Sequence, residues 1–168
     1  PDEDVLGAPG DGRNVAMSTA GNERGLSLRA PGRFLAPVDR LIDLWDERGE
    51  SEPSARDAVV DSWISAEAYK LFTWQTVSRL LQGGDVGAEG SINKVFWSEL
   101  DIHIHETALR LLGPEAELIG AGAPVGGKWA EDYLFALAGP IYAGTNEIQR
   151  NIIAERILGL PRGDRRKA

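Results

Sequence analysis

The sequence has no cysteine, one methionine and two histidines among its 168 residues. Without cysteine it forms no disulfide, thiolate metal site or cysteine nucleophile, which fits a reducing compartment, and we expect a cytoplasmic location. It has no apolar run near the roughly 20 residues that a membrane span needs. It also has no strand-like alternation of useful length, so we predict an all-α, up-and-down helical bundle without a membrane partner.

Positive charge is the scarcer sign, with 18 Lys and Arg against 26 Asp and Glu and a net charge of -8. Such a chain repels phosphate backbones, so we expect no nucleic-acid partner. The sequence begins with Pro1 rather than methionine, and we expect it to start in the middle of a protein. Residues 1–12 are predicted to be a loop leaving another structural unit, residues 13–162 the helical domain, and residues 163–168 a basic tail.

Apolar spacing predicts four or five antiparallel helices, of which 55–82 and 88–112 are the longest. Residues 15–49 are mainly helical, and Pro31-Gly32 and Pro37 should kink or split that segment. Shorter helices are predicted for 128–137 and 146–158. In the 55–82 helix, one apolar stripe is predicted to comprise Val59, Trp63, Ala66, Tyr69, Leu71, Trp74, Val77 and Leu81.

Two patterns superficially resemble ligand-binding sites, one for a dinucleotide and one for a metal, but we predict neither site. The Gly-rich run from Gly120 to Gly127 has no preceding strand, as a dinucleotide site would require, so we predict a surface loop. His103, His105 and Glu106 lie on a predicted helix. Because residues two apart point to different faces of a helix, His103 and His105 do not form a metal-binding pair, and we predict no metal site.

The segment from Gly139 to Arg162, GPIYAGTNEIQRNIIAERILGLPR, combines a loop with an amphipathic helix. Gly144 would allow another group to approach the backbone, and the helix start offers free N–H groups. Asn146 and Gln149 are spaced like a capping pair. From these residues alone, the loop either binds an anion or turns a corner.

This segment closely resembles the carboxy-terminal signature of acyl-CoA dehydrogenases, Ile-Tyr-x-Gly-Thr-x-x-Ile-Gln-Arg followed by a helix and Leu-Gly-Leu-Pro-Arg. Gly12 to Arg24, GRNVAMSTAGNER, is similar to the start of the first long helix of that family's carboxy-terminal domain. The resemblance implies that residues 1–12 end the preceding β-domain or form a linker. It also implies FAD as cofactor, α,β-dehydrogenation of an acyl-CoA, a homo- or heterotetramer, and electron-transfer flavoprotein as the electron acceptor.

The resemblance also assigns roles to residues. The backbone N–H of Ala143 polarises the thioester carbonyl, together with a flavin ribityl hydroxyl. Many relatives carry the catalytic carboxylate at this same position, which alanine does not provide, and some place it instead at the position of Glu23. Glu23 is therefore the expected base, although it could also be a solvated residue paired with Arg24. Tyr142 and Arg24 are implied substrate contacts, and the implied FAD contacts are Gly144, Thr145, Asn146, Arg110 and Gly113.

Three departures from the family pattern stand out. The usual Arg-x-x-Phe-Gly stretch, which commonly contacts FAD from a neighbouring subunit, is missing. Arg110 replaces the glutamine of a Gln-x-x-Gly-Gly motif and either meets the FAD pyrophosphate or faces solvent. Leu134-Phe135 replaces Arg-Asp. They resemble an actinobacterial branch that includes enzymes of unlike subunits acting on bulky acyl-CoAs. Two function classes follow: an active subunit with Glu23 as base, or a non-catalytic partner or structural helical module that completes a heteromeric enzyme.

Overall fold

The computed structural model describes residues 6–23, 29–48 and 54–162, with the backbone alone for residues 19–23. Its six α-helices are α1 (Gly12–Glu23), α2 (Gly32–Arg48), α3 (Ala55–Leu81), α4 (Glu89–Leu112), α5 (Lys128–Ala136) and α6 (Asn146–Ile152). Short 3-10 turns at Gly113–Glu117 and Pro124–Gly127 and a π turn at Ile153–Ile157 complete the regular structure. No strand occurs within the described ranges, so the all-α prediction is confirmed.

The predicted helix bounds agree closely, but the number of helices was underestimated. The segment 15–49 contains two helices, α1 and α2, and the second begins at Gly32, beside Pro31. A proline disfavours helical backbone in the residue before it, which explains the new start at this point. Pro37 lies inside α2 and does not split it.

Helix α4 is the centre of the bundle and packs against α2, α3, α5 and α6. Phe34 of α2 meets the ring of Tyr69 edge-on at 4.9 Å and stacks near Trp97 at 6.5 Å. These aromatic pairs add to the burial of aliphatic side chains such as Val38, Leu41 and Ile104. No described helix is both long enough and apolar enough to cross a bilayer.

The predicted apolar stripe of α3 is wrong for five of its eight members. Val59, Ala66 and Tyr69 are buried, whereas the exposed members are Trp63, Leu71, Trp74, Val77 and Leu81. The buried stripe is completed by Ser62, Thr73 and Thr76. Ser62 and Thr76 donate their hydroxyl hydrogens to the carbonyls four residues earlier, at 2.8 and 3.0 Å, which makes them tolerable in the core. The large apolar residues therefore form an outer face of α3.

The division into domains stays a prediction. Within the predicted linker, residues 6–11 precede α1 without regular structure. Residues 1–5 and the predicted basic tail 163–168 lie outside the described residues.

Candidate functional site

The loop between α5 and α6 has a constrained backbone. Its ends are joined by the N–H of Asn146, which donates to the carbonyl of Pro140 at 2.9 Å. Ala143 and Gly144 both have left-handed backbone, with φ of 55° and 84°. The Gln149 side-chain amide donates to their carbonyls at 3.0 and 3.3 Å. A Cβ on residue 144 would lie 2.6 Å from the Gln149 nitrogen, so this turn favours glycine for two reasons.

The cap of α6 is Thr145, which corrects the predicted capping pair of Asn146 and Gln149. The Thr145 hydroxyl accepts from the N–H of Ile148. Gln149 instead turns back to the loop carbonyls, and the side chain of Asn146 is buried with 3% exposure. The cap lies one residue earlier than predicted, at Thr145 rather than Asn146. Only the residue that precedes the first helical turn has the extended backbone from which a side chain can reach the free N–H groups.

Asn146 is anchored on α4 by a buried polar network. Its side-chain oxygen accepts from the Lys94 ammonium at 2.7 Å. The Ser98 hydroxyl lies 3.1 Å from both the oxygen and the nitrogen of the Asn146 amide. The nitrogen also donates to Glu99 at 3.2 Å, and Arg150 pairs with the same carboxylate. Every side-chain donor and acceptor of Asn146 therefore faces the protein rather than a ligand.

Lys94 is a buried cation, with 1% of its surface exposed. Burial lowers its pKa, and the carboxylates of Glu147 and Glu99 oppose that shift. The Trp97 ring centroid lies 5.9 Å from the ammonium. The ammonium is thus held beneath the loop by one close acceptor, two more distant carboxylates and an aromatic face.

Tyr142, the predicted substrate contact, lies against the same helix. Its ring is 5.9 Å from that of Trp97. The Arg29 guanidinium lies over both rings, at 4.3 Å from Trp97 and 5.3 Å from Tyr142, and donates to the Tyr142 hydroxyl. The carbonyl of Arg29 accepts from the hydroxyl of Tyr69 at 2.9 Å. Arg29 therefore joins the chain just before α2 to the residue before Ala143.

The remaining predicted site residues lie elsewhere or cannot be placed. Glu23 ends the backbone of α1, but its side chain and all of Arg24 lie outside the described residues. Arg110 donates to Ser54 at 3.5 Å, and Gly113 follows the end of α4 with a φ of 57°. Twelve residues of helix separate Ser98 from Arg110, which corresponds to about 18 Å. The structure thus brings together Tyr142, Ala143, Gly144, Thr145 and Asn146, but not Arg110 or Gly113.

Sequence reasoning missed Arg29, Trp97, Lys94 and Ser98. A signal for the last two was present, because Lys94, Ser98, Asp101 and His105 recur at spacings of four, three and four on the buried side of α4. Polar residues that keep helical period on a buried face need internal partners. Arg29 had no comparable signal, since its partners are 68 and 113 residues away in the sequence.

The backbone N–H of Ala143 has no acceptor among the residues that the structure describes. Ala143 itself is half-buried, and Gly144 beside it is exposed. A rigid loop with an unpaired N–H is suited to binding an oxygen that carries partial negative charge. The geometry therefore defines a constrained backbone turn on an all-α domain, with one N–H that has no acceptor in the described part of the chain.

Comparison with known proteins identifies the class of that domain. A family model described as "Acyl-CoA dehydrogenase, C-terminal domain" matches residues 10–158. The chain belongs to the acyl-CoA dehydrogenase family, and it corresponds to the carboxy-terminal domain.

The curated relatives include acyl-CoA dehydrogenase IpdE1 of Mycolicibacterium smegmatis, 36% identical over 160 residues that cover 94% of this chain and 39% of the relative. IpdE1 of Mycobacterium tuberculosis is 35% identical over 164 residues, covering 94% of this chain and 40% of that protein. Among solved structures, the ChsE4-ChsE5 complex from Mycobacterium tuberculosis matches with a TM-score of 0.77 and 26% identity. That match covers 94% of this chain and 42% of the matched chain in the complex. The chain thus spans about two fifths of the curated relatives it matches.

Proposed function

We propose that this chain supplies one wall of the active site of an FAD-dependent acyl-CoA dehydrogenase, which removes hydrogen from the α- and β-carbons of an acyl-CoA thioester. The observation that carries the proposal is the Ala143–Gly144 turn, whose carbonyls are fixed by Gln149 and whose Ala143 N–H has no acceptor among the described residues. We further propose that residues 13–162 form the domain, that residues 1–12 lead from a preceding β-domain or linker, and that 163–168 are a tail.

In this proposal the Ala143 N–H donates to the thioester carbonyl oxygen and so polarises the C=O bond. This polarisation makes the C–H group of the α-carbon more acidic. The donor is a backbone group, so it survives the change of side chain to alanine. Its position is set before substrate arrives, because Gln149 and the Asn146–Pro140 hydrogen bond already hold the turn. Such preorganised donors lower the barrier because they need no rearrangement during the reaction. Tyr142, held by Arg29 and Trp97, lines the acyl-CoA side.

FAD, when bound, would supply the acceptor for the β-hydride, and we propose an electron-transfer flavoprotein as the electron acceptor of the enzyme. Gly144 is exposed and has no side chain, so another group can approach its backbone, which fits a cofactor contact there and at the neighbouring, half-buried Thr145. Asn146 supports this loop from beneath, because its side chain and its N–H both have protein partners. Arg110 and Gly113, at the far end of α4, would contact FAD at a point away from this turn.

The α-proton needs a carboxylate, and Ala143 provides none. We assign this role to Glu23, at the end of α1, because the signature otherwise lacks a base. Arg24 follows it directly and would contact the substrate.

The test uses the full-length protein, purified with its flavin and mixed anaerobically with acyl-CoAs of different chain length and bulk. We expect at least one of them to bleach the flavin and to be recovered as the 2-enoyl-CoA. Glu23→Gln should keep FAD and substrate binding but reduce the rate of bleaching by about a hundredfold or more, because glutamine accepts no proton. Bleaching at the parental rate would mean that the base lies elsewhere.

A second candidate function is a non-catalytic subunit that completes a heteromeric dehydrogenase. Its support is alanine at the family's usual base position, together with a match to a structure described as the ChsE4-ChsE5 complex. Co-expression with neighbouring dehydrogenase genes separates the two functions. A flavin that is bleached only in the co-purified complex, at a rate unchanged by Glu23→Gln, would favour the partner role. A homomeric protein that is bleached alone would exclude it.

A further inference from the structure

Lys94 places a full positive charge where the proposed active-site loop meets the bundle. Its ammonium is buried and has one close oxygen acceptor in the described structure, the side chain of Asn146 at 2.7 Å. Burying a charge is unfavourable unless partners compensate. An apolar residue would pack here without that cost, so stability alone does not explain a lysine at this position.

A series of hydrogen bonds connects Lys94, through Asn146 and α6, to the Ala143–Gly144 turn. Lys94 and Ser98 fix the side chain of Asn146, and the backbone N–H of Asn146 closes the loop on Pro140. Three residues later on α6, Gln149 holds the carbonyls of Ala143 and Gly144. A displacement of Asn146 would therefore move both the loop closure and the helix that carries Gln149.

The charged neighbours explain why the ammonium stays in place. Glu147 and Glu99 attract it, whereas Arg150 repels it. Glu99 is itself bound by Arg150 and by the Asn146 amide. The attraction of Glu99 for the ammonium is thus shared with other groups, and Asn146 remains the nearest partner of Lys94.

We propose that Lys94 is a positioning residue, whose buried ammonium acts through Asn146 to hold the Ala143–Gly144 turn in its left-handed conformation. This inference rests on the proposed function, in which the N–H of Ala143 binds the thioester oxygen. Lys94 touches neither substrate nor cofactor in this scheme. Its removal should loosen the turn while leaving acyl-CoA binding largely intact.

The test compares the full-length parent protein with Lys94→Met, which keeps the length of the side chain and removes its charge. Hydrogen–deuterium exchange of peptides covering 141–149 should be at least tenfold faster in the variant. Anaerobic flavin reduction should slow by about 10- to 100-fold, as expected for a displaced catalytic donor. The dissociation constant for acyl-CoA should change by less than threefold.

A fourth measurement responds to the turn but not to a general loss of stability. A 3-thia-acyl-CoA binds without losing hydride, and loss of its α-proton gives a long-wavelength charge-transfer band with oxidised flavin. If the Ala143 N–H is displaced, the resulting enolate is less stabilised, and the pH midpoint of the band should rise by about one unit. An unchanged midpoint in a folded Lys94→Met protein would overturn the proposal.

Lys128→Met is the matched control, because Lys128 is an exposed lysine on α5. It should match the parent in all four measurements. If Lys94→Met fails to fold, Ser98→Ala removes a second anchor of Asn146 and should shift each measurement in the same direction by a smaller amount. Parental behaviour of that variant would then contradict the inference.

These experiments distinguish a failure of the proposed function from a failure of the inference about Lys94. A parent protein that no acyl-CoA bleaches would remove the catalytic role and this inference with it, whatever the exchange data show. A parent that is bleached, beside a Lys94→Met variant with the parental exchange and reduction rates, would overturn the inference alone.

Discussion

At the scale of single residues, the buried phenol of Tyr69 makes a pH-dependent contribution to stability. Burial raises its pKa from 10.0 to about 12. Between these values the folded state keeps a proton that the unfolded state loses. The contribution is therefore complete below pH 10 and is lost as the pH rises towards 12, amounting to about 2 to 3 kcal/mol.

Tyr69→Phe in the full-length protein tests this account. At pH 8 we expect the variant to be less stable by about 1 to 2 kcal/mol, because the hydroxyl no longer bonds to Arg29 or to Asn93. The difference in unfolding free energy between the parent and Tyr69→Phe should narrow above pH 10, because only the parent loses the pH-dependent contribution of Tyr69. Phe34→Leu, which alters the neighbouring ring without removing a titrating group, should show a constant difference in the same urea titrations. A constant difference for Tyr69→Phe as well would contradict the raised pKa.

The family signature indicated a loop at Ala143 and Gly144. It gave no information about the residues of other helices that hold this loop in place. The family pattern is local in sequence, and local patterns encode turns well. The ammonium of Lys94 reaches Asn146 across 52 residues, and Arg29 reaches Tyr142 across 113. Contacts of that range depend on how helices pack, which apolar periodicity alone does not specify.

At the scale of helices, the bounds of α3, α4 and α5 followed from periodicity, glycine and proline, whereas the division of residues 15–49 into α1 and α2 was predicted only as a kink or split at the prolines. The wrong stripe of α3 shows the limit of this reasoning. Size and apolarity predicted burial of Trp63 and Trp74, whereas the structure buries Ser62, Thr73 and Thr76. Small residues allow closer helix packing, and Ser62 and Thr76 donate their hydroxyl hydrogens to carbonyls of their own helix. Periodicity alone does not decide which of two competing faces is turned inward.

The junction between α5 and α4 is closely packed at Gly139. A Cβ there would lie 2.9 Å from the Ala136 carbonyl oxygen and 3.3 Å from Ser98. We expect Gly139→Ala to destabilise the protein by about 1 to 3 kcal/mol through overpacking. Gly122→Ala is the control, since a Cβ at 122 has nothing within 4 Å, and its effect should stay within about 0.5 kcal/mol. Equal urea midpoints for the two variants would disprove the close packing.

At the scale of the whole molecule, the outer face of α3 indicates contact with further protein. Trp63, Leu71, Trp74 and Leu81 are 49%, 59%, 56% and 84% exposed. Apolar faces of this kind commonly form interfaces. We expect the full-length protein to have a tetrameric mass by light scattering, and Trp74→Asp to shift it towards smaller species. Gln75→Asp, an exposed polar position on the same helix, should not. A monomeric parent across a wide concentration range would contradict this prediction.

We propose that the Ala143 turn faces the α-carbon of an acyl-CoA whose proton Glu23 removes. Ala143→Glu in the Glu23→Gln background tests it most directly, because it returns a carboxylate to the active site at the turn itself. We predict that anaerobic flavin reduction recovers at least about tenfold over Glu23→Gln alone. Ile141→Glu, at an exposed position of the same loop, should give no recovery. A double variant that binds FAD and acyl-CoA but stays at the Glu23→Gln rate would contradict the claim.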